Sequence, residues 1–404
     1  MNEFPVFTSR LARSALAWLA AAVLAIGCGG GGGGGDTTAA AGSAFTMGTI
    51  NGFGSIIVDG VRFDDSHAQV VDDDDQAHDR SELKLGMTVE VQSDRVRADS
   101  SGRSAQAQHI RFGAEIVGPV EAIDTTARQL TVLGQTVEVT DTTVFDDSLA
   151  GGLTAVKVGD IVEVHAQFNS ANGHYVAKRI EKEAQANFFR LRGPVSNLDT
   201  TAKTFTIGGA TISYTAIAAS DLPPNFANGL PVRVRLQTTK ALPADPWQAV
   251  SIRTGVRKVE DHDEAEVRGI VTAFTDITAF SVNGLAVTTS TSTTFPDGTN
   301  VALGTAVEVE GAIVNGVLVA SKVSLEDRHA NDDDQQTELH GAVSGFDKTA
   351  QTFVVRGVNV HYSGNTDFSR GSASDLANGV AVEVKGRLAS DGVTLEAKQI
   401  KFEQ

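Results

Sequence analysis

The sequence predicts an all-β protein built as five tandem, small five-stranded barrels after an export signal and a glycine linker. Three observations carry that prediction. One pattern of apolar residues and turns recurs along the chain at about 70–76 residues, the mark of an array of like units. Within each copy, apolar residues alternate as Val-x-Val, the period of a strand with one face in a core and one in water. The composition is rich in glycine, with 41 among 404 residues, and poor in aromatics at 6%. That balance favours short strands and frequent turns over long helices.

Taken in order, residues 1–27 read as a signal peptide. Arg10 and Arg13 precede the apolar stretch Ser14–Ile26, which is too short for a comfortable membrane span. It ends in Leu24-Ala25-Ile26-Gly27-Cys28, which resembles the bacterial lipobox, with Cys28 as the residue that receives lipid. Residues 28–45 continue through Gly29–Gly35 and Asp36–Ala41 as a flexible tether. Cys28 is the single cysteine, so the mature chain forms no internal disulfide, and its small units must be stabilised by other means such as packing on one another. The residue after Cys28 is not Asp, so the resemblance implies an outer-membrane location in a Gram-negative host.

The repeats follow at 46–113, 114–186, 187–258, 259–327 and 328–404. The last is the clearest: Glu338-Leu-His-Gly341 opens a strand, Asp347-Lys-Thr-Ala350 and Arg356-Gly357 turn it, and Val380-Ala-Val382-Glu383-Val384 and Thr394–Ile400 close the unit. The second opens Glu115-Ile-Val-Gly118, the third Arg190-Leu-Arg-Gly193 and the fourth Glu266-Val-Arg-Gly269; the first is the most diverged. Three strands, a Leu-x-x-Gly connector and a closing hairpin suit an OB-like barrel or a related small Greek key. This pattern resembles a family of domains of unknown function found in tandem in bacterial lipoproteins. The resemblance implies a fold and brings no activity, ligand or catalytic residue.

A formal net charge of -17 argues against nucleic acid as a partner and against adsorption onto anionic lipid. Acidic clusters with histidine lie at or near unit boundaries: His67 and Asp72–Asp75 with His78, Glu260–Glu264, and His329 with Asp332–Asp334 and His340. Asp261, His262 and Asp263 are the candidate metal ligands, carboxylates suiting calcium and imidazole suiting zinc or copper. No metal-loop spacing accompanies them, and the competing reading is solvated charge that keeps units apart. The third unit is the odd one, with nine Lys or Arg against three Asp or Glu between Asn187 and Lys258, a surplus of six. Arg190, Arg192, Arg233, Arg235 and Trp247 are its candidate ligand-binding residues, basic and aromatic groups that could grip a glycan or other anion. The competing reading puts the aromatics in the core and neutralises the arginines with acidic residues of the same chain.

Ser81-Glu82-Leu83-Lys84 matches S-x-x-K without the companion motifs of penicillin-recognising enzymes, and no other nucleophile, phosphate or zinc-protease motif is present. The expectation is therefore a non-enzymatic, membrane-anchored envelope lipoprotein with a structural, adhesion or assembly role. The alternative is a glycan- or anion-binding lipoprotein that uses its third unit. An envelope protein or a glycan is the expected partner besides the membrane, no cofactor is implied, and no residue is assigned to catalysis.

Overall fold

The computed structural model describes residues 42–100, 102–326 and 336–403. The signal peptide, Cys28, the glycine tether, His329 and Asp332–Asp334 lie outside the described residues. Among the described residues, regular structure is β-strand apart from five 3-10 turns of three residues each, and no helix is long and apolar enough to cross a membrane.

Alternation builds the strands as the sequence predicts. In Thr88–Asp94, Val89, Val91 and Ser93 are buried while the residues between them are partly exposed. Tight turns join the strands. Asp59-Gly60 and Asn283-Gly284 each have both residues at positive φ, 50° and 75° in the first and 48° and 86° in the second. That is the backbone of a two-residue type I′ hairpin, whose twist matches the strands it joins and which Asp, Asn and Gly adopt most readily.

Two five-stranded barrels close on themselves. In the second repeat, Ile116–Asp124 pairs with Gln129–Val132, which pairs with Gln135–Phe145. That strand runs parallel to His174–Glu183, which pairs back through Ile161–Asn169 to the first strand. The fourth repeat does the same through His262–Asp276, Ala279–Val282, Leu285–Thr288, Val317–Leu325 and Ala306–Val314. The other repeats follow the same order of partners with additions and breaks. The first adds Gln69–Asp72, Ala77–His78 and Arg97–Asp99 around its circuit. In the third and fifth, the opening strand is interrupted at the buried residues Val195 and Val343.

The repeats are joined by backbone as well as side chains, and not only to their neighbours in sequence. Ala44–Met47 of the first repeat lies parallel to Glu264–Val267 of the fourth, and Gly52-Phe53 lies parallel to Glu338-Leu339 of the fifth. The second and third pair at Ile116-Val117 and Arg190-Leu191. The cores follow these unions. One apolar core runs through the second and third repeats, another through the first and fifth, and Phe45 and Met47 of the first complete the core of the fourth. A chain with no disulfide thus gains its extra burial by interlocking its small units, the first acting as the keystone.

Candidate binding site

The acidic run Asp72–Asp75 lies between the short strands Gln69–Asp72 and Ala77–His78. Asp72 accepts the Asp74 and Gln76 backbone N–H groups at 2.8 and 2.9 Å, which holds the turn closed. The turn projects Asp73, Asp74 and Asp75 at the third repeat. There, Arg190 sits directly across from Arg235, and Arg192 from Arg233, which in turn faces Arg253. Like charges in cross-strand register repel, so this face requires an anion. Asp73 and Asp74, with side chains 7% and 5% exposed, supply it.

Arg233 reaches Asp73 at 3.2 Å and Asp74 at 3.1 Å, Arg190 reaches Asp74 at 3.6 Å, and Arg192 and Arg235 close on Asp73 and Asp74 respectively. Asp75 takes Arg111 at 2.8 Å and Arg257 at 3.4 Å. Burial opposes the charged form of Asp73, but Arg192, Arg233 and Arg190 outweigh it and hold the carboxyl below its usual range. The same balance, led by Arg235 after burial, holds Asp74 down. The Phe188 ring lies under Arg235, 4.2 Å from its centroid.

The four arginines predicted to bind a ligand are therefore gathered on one face as expected, and the anion they hold is the chain's own. The reading of Asp72–Asp75 as solvated charge that separates units is corrected for Asp73 and Asp74: these carboxylates are buried and draw the first and third repeats together. Trp247 does not join the arginine face. Alternation places it in the core, edge-on to Phe189 at 5.6 Å, with the Lys240 ammonium 4.5 Å from its ring.

Asp261, His262 and Asp263 do not converge as a metal site. The His262 ring is buried against Phe45 at 5.6 Å with both nitrogens unpartnered, and burial pushes its pKa down. Asp261 accepts the Asn315 N–H at 2.6 Å. Among the described residues, the group with donor atoms within 4.8 Å of one another is Glu338, His340 and Glu383. Cations already occupy it: Arg62 reaches Glu338 at 2.9 Å, and Lys385 reaches Glu338 at 3.2 Å and Glu383 at 3.4 Å. Arg62 also approaches His340 Nε2 at 2.8 Å. This arrangement is an ion-pair network between the first and fifth repeats. Ser81 and Lys84 lie at an exposed 3-10 turn where the lysine donates to the Ser81 backbone carbonyl at 2.7 Å.

Beside the arginine face, a cavity of about 520 Å³ opens where the first four repeats meet. Met47, Phe168, Val256 and Leu285 form apolar wall, and Glu90, Glu115, Arg111, Arg192 and Arg257 form charged wall. Burial raises the Glu115 carboxyl even though it accepts the Ala166 N–H at 2.8 Å and faces Arg192 at 3.7 Å. Burial also raises Glu90, with Asp73 adding to the effect and Arg192 opposing it. A second cavity of about 520 Å³ is lined by Asp59, Arg268, Glu338 and Lys385. Burial pushes Asp59 up to about 8 despite Arg268 at 3.5 Å.

Sequence reasoning missed Asp59, Glu90 and Glu115, although one signal pointed to the last. The residue three before the glycine of the opening strand is charged in four repeats, and in each it meets another repeat. Glu115 faces Arg192, Arg190 faces Asp74, Glu266 binds Arg103, and Glu338 binds Arg62.

Three segments of the chain, 117–181, 268–324 and 340–401, match the family described as Domain of unknown function (DUF5666). No curated protein matches it. Among solved structures, a chain described as Drosophila Unr CSD456 is similar at 13% identity, with 54% of this chain and 98% of that chain covered and a TM-score of 0.14. At that level the strand pairings themselves remain the ground for the fold.

Proposed function

We propose that this chain is a non-enzymatic lipoprotein of the cell envelope, anchored through Cys28, whose body of five OB-like units serves a structural, adhesion or assembly role. The observation that carries the reading is the burial of Asp73 and Asp74 among the arginines of the third repeat. It makes one interlocked body of units that would be marginal alone, a property suited to presenting a fixed surface at the end of a tether. The outer membrane is the expected location in a Gram-negative host. The alternative, a glycan or anion held by the third repeat, requires Asp73 and Asp74 to leave the arginines first. Metabolic labelling with a fatty-acid probe tests the anchor: label on the wild type and none on Cys28→Ala supports it, and equal label on both removes it. A pull-down from native envelopes with the anchored chain then tests the assembly role, which fails if no envelope component is retained above an untagged control.

A further inference from the structure

The charged lining of the cavity at the meeting of the first four repeats is Asp73, Glu90, Glu115, Arg111, Arg192 and Arg257, and of its three carboxylates Glu90 alone has no close partner. Three arginines face it, and each has an acceptor elsewhere in the chain. Arg111 binds Asp75 at 2.8 Å and the Asp72 carbonyl at 2.6 Å. Arg192 binds Asp73 and faces Glu115, and Arg257 binds the Asp73 carbonyl and Asp75. Glu90 lies across from Met47 on one side and from Arg111 on the other, on the outward face of the first barrel. It lines the cavity, and among the described residues no group stands within hydrogen-bond or ion-pair distance of its carboxylate. A half-buried carboxylate without a partner is an unfavourable thing to leave inside a fold.

We propose that this cavity binds a small organic ammonium ion with an apolar body, its ammonium on Glu90 and its body against Met47, Phe168, Val256 and Leu285. The volume lies within the range of about 300–1,000 Å³ typical of small-molecule sites, and the mixture of apolar wall with one unanswered charge is what fixes the orientation of such a ligand. An anion in the same place would meet Glu90 and Glu115 while every arginine is already engaged. A neutral apolar ligand would leave the Glu90 carboxylate without a close cation. The site shares Asp73 and Arg192 with the arginine face considered above, and it does not depend on the envelope role.

The test titrates the full chain with phenylethylammonium, and with 3-phenylpropionate as the anion of similar shape, and follows binding by calorimetry. The expected result is saturable one-to-one binding of the ammonium, at least about tenfold weaker in Glu90→Gln, and no binding of the carboxylate; a factor of ten corresponds to about 1.4 kcal/mol. Glu90→Gln keeps the size of the side chain, so its fold is checked by far-UV circular dichroism. Val256→Trp, which fills the cavity from a loop and leaves Glu90 in place, is expected to abolish binding as well. No saturable binding to the wild type, or equal binding in both variants, or equal binding of the carboxylate, would overturn the proposal.

Discussion

Two acidic runs of this chain look alike in sequence and end in opposite situations. Asp72–Asp75, inside the first repeat, and Glu260–Glu264, at the start of the fourth, each place carboxylates close to a histidine. In the first, the carboxylates of Asp73 and Asp74 are buried against arginines, and His78 stays at the edge, held by Glu82 at 2.8 Å and Asp72 at 3.5 Å. In the second, it is the histidine that is buried, against Phe45, while Asp261 and Asp263 are exposed. The difference lies in what each run meets. Asp72–Asp75 forms a turn aimed at a face of cross-strand arginines, whereas His262 opens a strand whose inward side belongs to a core. A run of like charge is defined by its partner in space, which local spacing does not contain.

The largest effect that would break this comparison is expected at Asp73. Asp73→Ala leaves Arg192 and Arg233 partly buried without their carboxylate, and removing one member of a buried pair costs about 3–5 kcal/mol. Urea denaturation checks it. A loss under about 1 kcal/mol would place Asp73 with the ordinary surface charges. The pH dependence follows from the same pairing. Asp73 and Asp74 are held below their ordinary pKa, so their stabilisation is complete above the unfolded value near 4 and is lost as pH falls through the folded values.

Asp59 sharpens the contrast, because burial there is not outweighed. Its folded pKa, about 8, lies above the ordinary 3.8, so ionising it penalises the folded state as pH rises between those values. The wild type is expected to lose stability relative to Asp59→Asn by up to about 1.4 kcal/mol per pH unit across that window. Asn suits the positive φ of 50° at this position, so the variant tests charge rather than backbone. Parallel curves for the two proteins from pH 5 to pH 8 would contradict the burial account.

His262 is expected to give a smaller effect of the opposite sense to a stabilising protonation. Its pKa is lowered by burial, so the stability of its neutral form is present above the unfolded value near 6.5 and is lost below it. His262→Phe should remove that loss, which thermal melts at pH 5 and 7.5 would detect. The smallest change is expected for Asp261→Ala and Asp263→Ala, each within about 0.5 kcal/mol of wild type, as for surface positions without buried partners. A loss comparable to that of Asp73→Ala would erase the distinction between the two runs.

The all-β class, the strand order and the turns were legible because they depend on neighbours in sequence. Asn283-Gly284 and Arg356-Gly357 announce their hairpins, and Val89-Glu90-Val91 announces which side chains turn inward. The concentration of arginines on one face of the third repeat was legible too, since alternation aligns Arg190 with Arg192 and Arg233 with Arg235. The unions between repeats were not. Nothing near Ala44–Met47 states that its edge will pair with Glu264–Val267, and nothing near Asp73 states that arginines more than a hundred residues away will surround it. Trp247 misled for a different reason: its position in the alternation of Trp247–Thr254 points inward, but its residue type suggested a ligand platform. The charge three residues before the opening glycine, recurring in four repeats, was the available clue to inter-repeat contacts. It becomes informative only when the repeats are aligned and asked where their outward faces meet.

Whether the carboxylates of the first repeat bind the arginines of the third is measured directly by a double-mutant cycle on Asp73 and Arg233, 3.2 Å apart. Asp73→Ala, Arg233→Ala and the double variant, each unfolded in urea, are expected to give a coupling energy above about 1.5 kcal/mol, as found for close charge pairs. Losses that add to within about 0.5 kcal/mol would mean the two side chains act independently, and the interlocked body described here would be contradicted.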